Sequence, residues 1–115
     1  MEIKIYHNPK CSKSRQALAL IKSKVADFEI IEYLKNPLSF KEIKLILSKL
    51  NIKPIELIRN QESIWRNNYE YKEMNDDEII NAIVNHPKLM ERPIVTNNKK
   101  GRIGRPPENI IELFN

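Results

Sequence analysis

The stretch IKIYHNPKCSKSRQALALIKSKVADFEIIEYL, residues 3–34, decides the fold. Its first four residues alternate apolar and polar and stop at Asn8-Pro9, which reads as a short strand running into a loop. From Ser12 the period changes. Ala17, Leu18, Leu20, Ile21 and Val25 fall on one stripe of an amphipathic helix over 12–25. FEIIEYL, 28–34, is rich in β-branched and aromatic residues and predicts a second strand. Strand, helix and strand within this span form a βαβ unit, whose two strands are expected to be parallel.

Downstream, Ser39 and Glu42 have the spacing of a capping box, and Ile43, Ile46, Leu47 and Leu50 follow on one helical face. Pro54 opens KPIELIRN (53–60) at a first helical position. SIWRNNYEYKEM reads as a short helix and a loop. NDDEIINAIVNHP predicts another helix, with Asn75 and Glu78 repeating the capping spacing and two aspartates suiting a helix N-terminus. The last third changes character. RPIVTN (92–97) and GRIGR (101–105) read as two strands joined by the turn NNKK, a β-hairpin. PPENIIELFN closes as a helix expected to bury Ile110, Ile111 and Phe114. The expected order is βαβ, then helices over about 39–90, then ββα, all within one α/β domain spanning residues 1–115.

The composition narrows the function. The chain has 115 residues, 41% of them hydrophobic and 30% charged, as in ordinary globular proteins. A single cysteine, Cys11, excludes an internal disulfide and points to a reducing cytoplasm. One cysteine and two distant histidines offer no zinc-ligand spacing. No apolar run approaches the ~20 residues that cross a membrane, and MEIKIYHN is not a signal peptide. The net charge is +5, yet lysines are spread along the whole chain and only 7% of residues are aromatic. That pattern argues against nucleic-acid binding, whereas local positive potential suits a small anion.

Cys11 lies where a strand ends and a helix begins. The first N–H groups of a helix have no partner within it, and the helix dipole places partial positive charge there. A thiolate is stabilised at such a point, and the same donors can hold an oxyanion. Lys10, Lys13 and Arg15 add positive charge, and His7 adds more when protonated. A buried structural cysteine favours apolar neighbours; HNPKCSKSR surrounds Cys11 with polar and basic ones, which favours a reactive thiol. Arg59, Arg92 and Arg105 each stand at an element boundary, and the arginine fork suits tetrahedral oxyanions.

The motifs IYHNPKCSKSR, ELIRN, HPKLMERPIV and RIGRPPE together resemble the glutaredoxin-coupled arsenate reductase (ArsC) family, most closely a short subgroup with the RIGRPPE ending. The resemblance covers nearly the whole chain and is weakest over 61–75. It implies a thioredoxin-like fold with a helical insertion and a mixed sheet flanked by helices. It implies Cys11 as the nucleophile, His7 as the residue that aids its ionisation, and Arg59, Arg92 and Arg105 around the oxyanion. Asn8, Ser14, Arg15 and Pro93 fall in supporting positions, with Pro93 matching the cis-proline of such folds. The implied cycle starts with arsenate on the Cys11 thiolate. Glutathione, a co-substrate rather than a bound cofactor, then reduces the arsenic, and glutaredoxin resolves the mixed disulfide. A cytoplasmic monomer is expected.

Two other readings compete. Spx-like regulators share the fold and bind RNA polymerase, but they carry a C-x-x-C switch where Cys11 is followed here by Ser12, Lys13 and Ser14, and they lack an arginine like Arg105. A glutathione-dependent thiol transferase without arsenate activity is the third reading.

Overall fold

A computed structural model describes residues 2–114 of the chain. They form two compact units, one running to Asn36 and resuming at Arg92, the other Pro37–Glu91.

The first unit holds the sheet. Strand β1 (Ile3–Tyr6) leads through a loop into helix α1 (Ser12–Lys24), which returns to β2 (Phe28–Ile31). After the second unit come β3 (Ile94–Thr96) and β4 (Gly101–Ile103). The strand order is β2-β1-β3-β4. β1 and β2 are parallel, with Ile3 opposite Phe28 and Tyr6 opposite Ile31. β3 runs antiparallel to β1, pairing Tyr6 with Ile94, and β4 antiparallel to β3, pairing Ile94 with Ile103. The sheet is therefore mixed, in a thioredoxin-like α/β fold.

Because strand side chains alternate between faces, Ile3, Ile5 and Val95 share one face. They pack with Ala17 and Ile21 of α1 and with Ile110 and Leu113 of the C-terminal segment. Burying each large aliphatic side chain contributes about 1.5–3 kcal/mol. Leu18, Leu20 and Val25, the rest of the predicted stripe, are half-buried against this cluster.

Two expectations are corrected. The second strand stops at Ile31 rather than at residue 34, because the Glu32 carbonyl accepts hydrogen bonds from the N–H groups of Lys35 and Asn36 and turns the chain. The final helix, Pro107–Phe114, is a 3₁₀ helix. Its three residues per turn bury Pro107, Ile110 and Leu113, three apart. Ile111 is consequently 38% exposed and Phe114 only half-buried. Asn115, the last residue of that expected helix, lies outside the described residues.

The second unit is helical. Helix α2 (Phe40–Leu50) begins at a complete capping box: Ser39 Oγ accepts from the Glu42 N–H at 3.1 Å, and Glu42 accepts from the Ser39 N–H at 3.0 Å. It ends at Asn51, whose φ of 56° gives a left-handed cap. A 3₁₀ turn with proline first, Pro54–Leu57, follows, then α3 (Ser63–Asn68) and α4 (Asp76–Asn85). Asn75 and Glu78 close the second capping box. Helix α4 packs against α2 and against the 3₁₀ turns Pro54–Leu57 and Pro87–Leu89. Trp65 stacks on Tyr69 with ring centroids 5.6 Å apart. No helix among the described residues is long and apolar enough to cross a membrane.

Candidate active site

The loop between β1 and α1 is tied down atom by atom. The Cys11 N–H donates to the Asn8 carbonyl at 3.0 Å, closing a turn. Asn8 Oδ1 accepts from the Lys10 N–H at 3.0 Å, and Arg15 donates to the Pro9 carbonyl at 2.9 Å. Ser14, wholly buried on α1, accepts from the Asn8 N–H at 3.0 Å and lies 2.7 Å from His7 Nδ1. The His7 N–H in turn donates to the Ile31 carbonyl at 2.8 Å, anchoring the loop to the neighbouring strand.

Cys11 is the N-cap of α1, and no side chain caps that helix. The donors of Ser12, Lys13 and Ser14 have no acceptor inside the helix. The Cys11 donor itself is spent on Asn8, which leaves the anion-binding capacity to the next turn. Cys11 is only 7% exposed, more buried than its polar sequence neighbours suggest. Its Sγ lies 3.8 Å from a terminal nitrogen of Arg105.

Arg105 is held in place by a second bond, from its Nε to the Arg92 carbonyl at 2.9 Å. The hairpin register explains this meeting of residues far apart in sequence. With Ile94 opposite Ile103, the residues just outside the paired strands, Arg92 and Arg105, fall at the same end. The Arg92 Nε is buried and has no hydrogen-bond partner among the described residues. Pro93 is buried, its peptide bond with Arg92 is cis, and its carbonyl accepts from the Gly104 N–H at 2.8 Å.

His7 is 6% exposed. Burial pushes its pKa below the usual histidine value; the Glu32 carboxylate pulls it up, and Arg15 and Lys22 push it further down. The ring is therefore mostly neutral at pH 7. It contributes a hydrogen bond to Ser14 rather than the positive charge allowed for by the sequence. The positive potential at the sulfur comes from the helix N-terminus and Arg105.

Arg59 belongs to the second unit. Its guanidinium donates to Glu62 at 2.7 Å and lies 3.9 Å from Glu91. The spacing of Arg59 and Glu62, three residues apart, was a signal for this pair that motif reading passed over. Gly104 was also passed over. A Cβ there would stand 2.8 Å from Pro93 Cγ and 3.4 Å from Ile110 Cγ2, so the absent side chain is what lets β4 close onto Pro93. Among the described residues no three His, Cys, Asp or Glu side chains are grouped to hold a metal ion.

A mixed sheet with a cysteine at the junction of its first strand and helix, and with a cis-proline before β3, defines a thioredoxin-like protein with a thiol site. The chain belongs to the ArsC family, whose model matches residues 6–113. It is 41% identical to the uncharacterised protein YfgD of Escherichia coli K12, over 97% of this chain and 96% of that one. It is 39% identical to an arsenate reductase of Haemophilus influenzae, over 99% of this chain and all of that one. Among solved structures, an arsenate reductase from Vibrio cholerae superposes with a TM-score of 0.92 at 39% identity, covering 98% of both chains.

Proposed function

We propose that this protein is an arsenate reductase in which Cys11 is the nucleophile and glutathione and glutaredoxin supply the other sulfurs. The observation that carries the reading is the Cys11 thiol at the open N-terminus of α1, with the Arg105 guanidinium 3.8 Å from its sulfur. The names of the Haemophilus and Vibrio relatives point to the same substrate.

The chemistry follows from one thiol. The Cys11 thiolate attacks arsenic(V), and water leaves as the S–As bond forms. Glutathione thiolate then attacks the Cys11 sulfur. The S–As bond breaks, its electron pair goes to arsenic, and arsenite departs with arsenic in the trivalent state. Cys11 is left in a disulfide with glutathione. Glutaredoxin attacks that disulfide and frees the thiol. Arg105 and the unpartnered Nε of Arg92 are the donors for the oxyanion. Arg59, to which the family resemblance gives the same role, stands beside the Glu62 and Glu91 carboxylates, whose negative charge competes with an anion for it. Ser14 holds His7 and the Asn8 amide, so it keeps Cys11 at the helix start while the sulfur changes partners. Both units are read as parts of one cytoplasmic, monomeric catalytic domain.

The test measures arsenite formed from arsenate with glutathione and glutaredoxin. Wild type is expected to turn over and Cys11→Ser to form none. A folded wild type that forms no arsenite would refute the assignment.

A further inference from the structure

The charge of this chain is not shared evenly. The unit that holds Cys11 carries twelve Lys and Arg against six Asp and Glu, and the other unit eight against nine. The net positive charge therefore belongs to the thiol-bearing unit. Strand register then says where in that unit the charges lie. Tyr6 pairs with Ile31 and with Ile94, so the Cys11 loop, Glu32, Arg92 and Arg105 share one end of the sheet. Lys10, Lys13 and Arg15 lie in that loop and the first turns of α1, where no acidic residue occurs in the opening turn. Lys10 and Arg15 are exposed. Lys10 and Lys13 form no ion pair with the described residues, whereas Glu32, a carboxylate at this end, is bonded to Lys35 at 3.5 Å.

We infer that the rim formed by Lys10, Lys13 and Arg15 is a docking surface for a protein thiol whose own surroundings are acidic. The inference rests on the reading of Cys11 as a nucleophile that ends each cycle in a mixed disulfide. Cys11 is only 7% exposed, so an attacking thiol must come close to this face. A folded partner must bring its thiol down onto this face, and opposite charge orients the encounter. The step is a thiol–disulfide exchange. The partner thiolate attacks the glutathione sulfur, the bond to Cys11 breaks, and Cys11 leaves as thiolate and takes a proton from water. The partner keeps the glutathione as its own mixed disulfide. A nucleic acid or an anionic membrane would also be drawn to basic charge, but neither offers a thiol to Cys11, which lies in the same loop and helix start.

The experiment starts from protein whose Cys11 has been converted to the glutathione disulfide with oxidised glutathione. Release of that disulfide is followed by intact mass with two reductants: a glutaredoxin of net negative charge, and neutral 2-mercaptoethanol. The variants are Lys10→Glu/Lys13→Glu and the milder Lys10→Gln, with folding checked by circular dichroism. The quantity read is the ratio of the two second-order rate constants, in which any change in Cys11 as a leaving group cancels. The double variant is expected to lower that ratio about tenfold at low salt, within the range that electrostatic steering provides. The loss should vanish near 1 M salt, where the screening length is about 3 Å. Changing acidic residues around the glutaredoxin thiol to lysine should restore the rate with the double variant. An unchanged ratio in both variants, or a drop that persists at high salt, would overturn the docking surface. Failure of wild-type Cys11 to form the glutathione disulfide would instead count against the functional reading on which it rests.

Discussion

Replacing Ser14 with alanine removes one buried oxygen that holds two groups. The hydroxyl accepts from the Asn8 N–H at 3.0 Å and shares a hydrogen bond with Nδ1 of His7 at 2.7 Å. Leaving a buried polar group without its partner costs about 1–3 kcal/mol. His7 is buried and should incur the full amount. Asn8 is half-buried, so water can take over part of its bond, and about 0.5–1.5 kcal/mol is assigned to it. The expected loss is then about 1.5–4.5 kcal/mol, a large share of a typical domain's 5–15 kcal/mol. With a urea slope of about 2 kcal/mol per molar, the middle of the usual range, the unfolding midpoint should fall by about 1–2 M. A second background separates the two contributions. In a His7→Phe chain, where no ring nitrogen awaits a partner, Ser14→Ala should cost only the smaller Asn8 portion. Urea unfolding followed by tryptophan fluorescence reads all four chains. A loss below about 0.5 kcal/mol in the wild-type background, or the same loss in both backgrounds, would show that the hydroxyl does not hold His7 and the loop.

Two further outcomes follow from the same unit. Burial lowers the His7 pKa, so the unfolded chain binds the proton more tightly than the folded one. Stability from this group is present above pH ~6.5 and is lost as pH falls from there toward the depressed folded value. Wild type should therefore lose more of its urea midpoint between pH 7.5 and 5 than His7→Gln does, and parallel profiles would refute this. Gly104→Ala should destabilise by about 1–3 kcal/mol, as overpacking does, because the proline ring 2.8 Å away cannot swing aside. A melting temperature equal to that of wild type would show that the hairpin has room to shift.

What could be read along the chain is what neighbouring residues decide. Both capping boxes formed because Ser39 and Asn75 reach donors three residues ahead, whatever lies elsewhere. The βαβ start was legible because the apolar period changes from two to 3.6 at Ser12, and four motifs in order along the chain were enough to indicate the family. The end of β2 and the face of the last helix were not legible. A turn at Glu32 competed successfully with strand-forming residues. A tighter helical period carried Leu113 into the core in place of Ile111. Both results depend on which packing partners the sheet offers.

The site divides in the same way. The sequence alone determined that a single thiol stands at a helix start among basic residues, because strand, loop and helix are contiguous there. Only the tertiary structure decided what surrounds the sulfur. The register of β3 on β1 and of β4 on β3 brings Arg105 to Cys11, 94 positions away, and hangs its guanidinium on the Arg92 carbonyl. Burial, set by the packed sheet rather than by the residue type, makes His7 a neutral hydrogen-bonding partner of Ser14 instead of a cation. Local order follows from local sequence, whereas distances between remote groups and the dielectric around them exist only once the chain has folded.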